Sequence, residues 1–206
     1  MTPTICSFYT QNPASENGSY YADHANRLRE ECAKLNLATY IHEQPYQGSW
    51  ISTLRLKPLV ILKALDACRG PVLWLDVDGS IMRAPREGEV HEMVDLAGVP
   101  KKQPRRPFFM GCLYFGYTLG AIALLEKWNE IYSSEKSEEL AFGKAVSWAG
   151  DTKRGLITQY LPPAWMCIVQ ANQRPPADAV IIHRLSSSPS KAEFYRWRRS
   201  HARGPQ

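Results

Sequence analysis

The sequence predicts an α/β fold, an open sheet with helices on both faces, folded as a single domain. Three observations carry this. Short apolar runs rich in β-forming residues alternate with amphipathic stretches through the first half of the chain, in the order β, α, β, α, β. The third of those runs, VLWL from Val72, is apolar at every position, which suits a strand buried on both faces. A chain of 206 residues with 44% hydrophobic content also has enough material for one good core.

Each element has its own signal. PTICSFYT, residues 3–10, is a β-rich run that stops at the turn residues Asn12 and Pro13. Tyr21, Ala25, Leu28, Cys32 and Leu35 then recur at steps of four and three with charges between them, one buried stripe of a helix. ATYIHEQ, residues 38–44, reads as a second strand and QGSWISTLR, residues 47–55, as a loop. Lys57 and Pro58 open the next helix, where the missing N–H of proline leaves nothing unsatisfied, and Gly70 ends it. The third strand is read as VLWLDVDGS, residues 72–80.

Residues 85–107 hold few periodic apolar positions and many Pro, Gly, Lys and Arg, which predicts a long excursion. FFMGCLYFGYT, residues 108–118, returns to strand. LGAIALLEKWNEIY is a helix with Leu124, Leu125, Trp128 and Ile131 toward the core. SSEKSEELAFGKAVSWA, residues 133–149, is a second helix, with acids at its start where the helix dipole favours them. LPPAWMCI follows, then DAVIIHRL, a last strand ending at His183.

Composition narrows the function. No run approaches the roughly 18 to 20 apolar residues of a membrane span, and MTPTICSFYT has neither a basic leader nor a long apolar segment, so a cytoplasmic protein is expected. Five cysteines, Cys6, Cys32, Cys68, Cys112 and Cys167, stand singly without a CxxC pair, which argues for reduced thiols and against structural zinc. The net charge of +5 is unevenly placed. Lys101, Lys102, Arg105 and Arg106 crowd one Pro-rich segment, and the tail from Lys191 onward carries Lys191, Arg196, Arg198, Arg199 and Arg203 against Glu193 alone. Such clusters favour a polyanionic partner; a solvated basic loop is the plain alternative.

Asp76 and Asp78 stand at the end of the third strand, the side of an open α/β sheet where ligands collect. Side chains along a strand repeat with period two, so both carboxylates are expected to face one point. Three readings follow. The pair could hold a hard divalent cation such as Mn²⁺ or Mg²⁺ that carries a nucleotide diphosphate. It could instead be the DxDG signature of a haloacid-dehalogenase-like phosphatase, with Asp76 as nucleophile, although that needs a later acidic pair and the stretch 150–154 offers only Asp151. Or it is a solvated turn.

The order and spacing of SFYT, LRLKPLVILKAL, VLWLDVDGSIM, FFMGCLYFGYTLGAIALLEKW, SEELAFGKAV, LPPAW and AVIIHR resemble the GT-A glycosyltransferases, the nucleotide-diphospho-sugar enzymes with a metal-binding DxD. The resemblance implies a GT-A-like, Rossmann-like three-layer sandwich with a mixed central sheet in one domain spanning 1–206. Residues 1–84 would be the nucleotide-binding half, 85–183 the acceptor half and 184–206 a basic tail. It implies Mn²⁺ or Mg²⁺ as cofactor, with Asp76, Asp78 and His183 as ligands and Asp76 also touching the ribose. Phe8, Tyr9 and Thr10 would line the base, Lys57 would approach base or diphosphate, and Gly111 and Cys112 would leave room for the donor sugar. Trp50 could be pocket or core. Glu138 or Glu139 would be the acid beside the reacting carbon. Relatives place a glycine and then a lysine after the late histidine; here the sequence is HRLSSSPSK, so the diphosphate grip falls to Lys191 or to Arg184 in its place.

Charge is the only sequence guide to the acceptor. Lys101, Lys102, Arg105, Arg106, Arg196, Arg198 and Arg199 would suit duplex DNA through phosphate contacts, and the small anchor-less chain resembles bacteriophage transferases that place sugars on hydroxymethylated pyrimidines. A base would then be flipped out, with Phe108, Phe109 or Trp197 as wedge or platform. The alternative acceptor is a surface glycan or lipid-linked sugar. A non-enzymatic nucleic-acid-binding module has no need of a carboxylate pair at a strand end.

Overall fold

The computed structural model describes residues 2–11, 19–103, 105–152, 155–169 and 174–184, the side chain of Arg184 excepted. Its centre is a six-stranded sheet of order β2-β1-β3-β6-β5-β7. The strands are β1 (Thr4–Tyr9), β2 (Thr39–Glu43), β3 (Val72–Leu75), β5 (Leu96–Pro100), β6 (Phe108–Phe115) and β7 (Thr158–Tyr160). β1 pairs in parallel with β2 and β3, and β5 with β7, whereas β6 runs antiparallel to both its neighbours. Reversal of β6 brings its beginning beside the end of β3, with Cys112 opposite Leu75. That places Gly111 next to Asp76, whose amide donates to the Gly111 carbonyl at 3.1 Å.

Helices α3 (Lys57–Cys68), α4 (Leu119–Tyr132) and α5 (Glu138–Gly150) cover one face through a core that includes Ile61, Trp74, Leu113, Phe115, Trp128 and Phe142. The other face is covered by α1 (Tyr20–Lys34) and by a second sheet, β4 (Gly79–Ile81), β9 (Ile181–Arg184) and β8 (Cys167–Val169), in the order β4-β9-β8. The result is the three-layer α/β arrangement with a mixed central sheet.

The structure corrects the sequence reading at four places. VLWLDVDGS is not one strand: β3 ends at Leu75, the chain turns through Asp76–Asp78, and Gly79 opens β4 in the other sheet. The amide of Gly79 donates to the Asp76 carbonyl at 2.8 Å and closes that turn. The excursion 85–107 contains β5, a central strand whose residues Leu96 to Val99 are buried. The loop 47–55 contains the short helix α2 (Trp50–Leu54), started by Ser49, whose side chain accepts from the Ser52 amide. Finally, SSEK precedes α5, which starts at Glu138 with the Ser137 hydroxyl as its cap.

Candidate active site

The turn between β3 and β4 holds Asp76 and Asp78, and β9 returns antiparallel to β4 with His183 opposite Gly79. The two carboxylates and the imidazole thereby converge: one ligand atom from each lies within 4.8 Å of the others. The convergence comes from this turn and the cross-strand register, not from the pleat of a single strand. His183 Nδ1 is 3.6 Å from Asp78 Oδ1. Its other nitrogen, Nε2, is buried without a hydrogen-bond partner.

Asp76 is divided between two tasks. Its Oδ1 accepts from Lys57 Nζ at 3.0 Å and from the Trp74 indole at 3.1 Å. Its Oδ2 faces Gly111, where a Cβ would lie 3.2 Å from that oxygen and 2.8 Å from His183 Nε2. Glycine at 111 therefore leaves the space between carboxylate and imidazole open.

These residues fit a divalent cation on three grounds: an orphaned buried nitrogen, a cradle that a methyl group would fill, and a donor set of two carboxylates with one imidazole.

Lys57, at the start of α3, is buried and bridges Asp76 to Glu138 Oε1, 2.5 Å away. Burial pulls the lysine pKa down, but the two carboxylates outweigh it and hold the ammonium above its ordinary value. One ammonium cannot neutralise two carboxylates. Burial, with Asp76 adding to it against the pull of Lys57, raises the Glu138 carboxyl above its ordinary range. Glu139 sits elsewhere, ion-paired to Lys101 and, at 2.9 Å, to Arg106.

A cleft of about 530 Å³, open solvent at its mouth included, runs from the acids between β1, α2 and α3. Phe8, Tyr9 and Thr10 line it with Lys57, Asp76 and Asp78. Trp50 and Tyr21 line it too, their rings stacked at 5.7 Å and 23°. Tyr21, part of the helical stripe read as core, does pack against that core, and its half-buried ring lines the cleft as well, a second role that the stripe pattern does not reveal.

The remaining expected site residues are placed as follows. Cys112 is fully buried in the core and does not line the cleft, and desolvation pushes its thiol pKa well up, so it is inert. Lys102 and Arg105 are exposed, while Lys101 and Arg106 are engaged by Glu139. Phe108 is buried against Phe142 and Tyr160 and has no free face for a base; Phe109 lies half-buried under the Lys101 ammonium. Lys191, Arg196, Arg198, Arg199 and Trp197 lie outside the described residues, as does the side chain of Arg184. Asp151, the acid weighed for a phosphatase, is the C-cap of α5. Among the described residues no helix is long and apolar enough to cross a membrane.

No protein-family profile and no curated protein matches the chain in sequence. Solved structures do match in shape. A glycosyltransferase involved in glycosylation of the major capsid of PBCV-1 aligns with a TM-score of 0.63 at 16% identity, covering 94% of this chain and 98% of that one. The fold is that of a GT-A glycosyltransferase. The glycosyltransferase GlyE of Streptococcus pneumoniae TIGR4 aligns with this GT-A-like chain at a TM-score of 0.54 and 14% identity, over 90% of this chain and 55% of GlyE. The chain therefore spans about half the length of GlyE.

Proposed function

We propose that the chain is a metal-dependent glycosyltransferase that moves a sugar from a nucleotide-diphosphate donor to a hydroxyl acceptor. The observation that carries this reading is the convergence of Asp76, Asp78 and His183 beside an aromatic-lined cleft in a GT-A-like fold. Asp76, Asp78 and His183 hold the ion, Mn²⁺ before Mg²⁺, which supplies the positive charge that a departing diphosphate needs.

The chain's own residues do the rest. Tyr9, Thr10, Trp50 and Tyr21 receive the base. Lys57 fixes Asp76 so that its outer oxygen stays turned to His183. Glu138, tied to the same lysine, is the acid on the sugar side, and Glu139 keeps the 101–107 loop against α5. Gly111 leaves room that any larger residue would take.

The test is thermal melting with Mn²⁺ and a panel of nucleotides. Nucleoside diphosphates, uridine diphosphate first, should raise the melting temperature only with metal, and Asp78→Ala should abolish the rise while keeping the fold. A metal-independent rise, or one that survives Asp78→Ala, sinks the reading.

For the acceptor, duplex DNA bearing hydroxymethylated pyrimidines is supported by the exposed Lys102 and Arg105 on the loop that leads into the start of β6. A saccharide acceptor is the second reading, favoured by likeness to the capsid glycosyltransferase over nearly the whole of both chains. Mass analysis of nucleosides from treated DNA, beside glycan acceptors, separates them: hexosylated or pentosylated nucleosides support DNA, and product only on glycans supports the second.

A further inference from the structure

β4 is three residues long and forms one edge of its sheet, so its outer backbone groups need partners other than a strand. α1 supplies them from two residues one helical turn apart. Arg27 Nη2 donates to the carbonyl of Gly79 at 2.9 Å and to that of Asp78 at 3.3 Å. Glu31 Oε2 accepts from the Ile81 amide at 3.0 Å, and its other oxygen lies 3.5 Å from Arg27 Nε. Both ends of β4 are therefore tied to one helix. The opposite edge of β4 carries the register that sets Gly79 against His183.

We infer that Arg27 and Glu31 are positioning residues of the metal centre: through the backbone of Asp78, Gly79 and Ile81 they hold the Asp78 carboxylate at its distance from His183. Neither touches the ligand atoms. The geometry explains why a turn, a flexible element by itself, can present a ligand at a fixed place. Gly79 shows how tight the fit is, because a Cβ there would meet His183 Nε2 at 3.0 Å. The inference rests on Asp76, Asp78 and His183 being metal ligands, and it adds residues that lie outside them.

The experiment is a Mn²⁺ titration of the full chain without donor, followed by the electron paramagnetic resonance of free Mn²⁺. It compares wild type, Arg27→Met, Arg27→Lys, Glu31→Ala and Asp78→Asn, with metal-free melting measured in parallel. Arg27→Met and Glu31→Ala should each weaken Mn²⁺ binding about tenfold or more, the usual effect of losing a group that orients a ligand. Arg27→Lys should recover part of the loss, since an ammonium can still reach a carbonyl. Metal-free melting should move little beside the loss of affinity. Wild-type affinity in Arg27→Met and Glu31→Ala, with binding lost in Asp78→Asn, overturns the positioning role and leaves the metal site standing. Undiminished binding in Asp78→Asn overturns the metal site itself. If Arg27→Met melts too early to titrate, Glu31→Ala decides between the same outcomes.

Discussion

The ammonium of Lys57, first residue of α3, lies 2.5 Å from the carboxylate of Glu138, first residue of α5. The same ammonium reaches Asp76 at 3.0 Å, so two helices and the turn between β3 and β4 meet at one buried charge. Removing one partner of a buried pair leaves the other uncompensated, at a cost of about 3 to 5 kcal/mol. Lys57→Met should fall near the low end, about 3 kcal/mol, because the Asp76 side chain remains 36% exposed and solvent screens it. Urea unfolding measures this, and a variant as stable as wild type would show that the bridge is dispensable. Nucleotide-dependent stabilisation should vanish in the same variant.

Gly111→Ala tests the cradle. Its Cβ would lie 2.7 Å from Met166 Cε and 2.8 Å from His183 Nε2. The thioether can swing away, whereas the imidazole is held by β9. Overpacking of this kind costs about 1 to 3 kcal/mol, and Mn²⁺ affinity should drop at least about tenfold as the imidazole is displaced. Calorimetric titration with Mn²⁺ reads the second effect apart from the first. Unchanged affinity would mean that the space beside Gly111 serves something other than the ion.

Trp50→Ala should weaken binding of a nucleoside diphosphate about five- to tenfold, corresponding to roughly 1 to 1.5 kcal/mol for one aromatic contact. Trp50→Phe should restore most of it. Melting titrations of both variants with Mn²⁺ present give the comparison, and equal affinity in Trp50→Ala removes the stacked pair from the base site.

The raised Glu138 carboxyl makes stability depend on pH in a direction opposite to that of an ordinary paired acid. The folded chain holds this proton more tightly than the unfolded chain does, so the associated stability is fully present below about pH 4.5, the ordinary value. It is lost as pH climbs from there through the higher folded value. Glu138→Gln cannot titrate and should lack that downward slope. Urea unfolding of both proteins at intervals of pH measures the difference, and parallel curves would show that burial does not dominate at Glu138.

The site was partly legible because its chemistry is concentrated in short patterns. Asp76 and Asp78 end an apolar run, and His183 ends another, which is where an open sheet offers its residues. Lys57 was visible as a lysine at a helix start, but its burial was not, since nothing in KPLVILKAL says that two acids wait above it. Glu138 and Glu139 are adjacent and alike in sequence. Only the placement of the start of α5 in the folded chain sends the first to Lys57 and the second to Lys101 and Arg106. Likewise the segment 101–107 reads as free positive charge until α5 brings an acid to it.

The sequence by itself determined the α/β class, most of the helices and which residue types the Asp76, Asp78 and His183 cluster is made of, because periodicity and residue type act locally. The tertiary structure alone decided that DxD is a turn between two sheets, that β5 lies inside the central sheet, and that α1 braces β4. These depend on pairing between distant segments. Leu96–Pro100 is five residues long and its first four residues are buried in succession, so no alternation marks it as a strand. The partners of Arg27 are backbone carbonyls, which every residue carries and which no sequence pattern can single out.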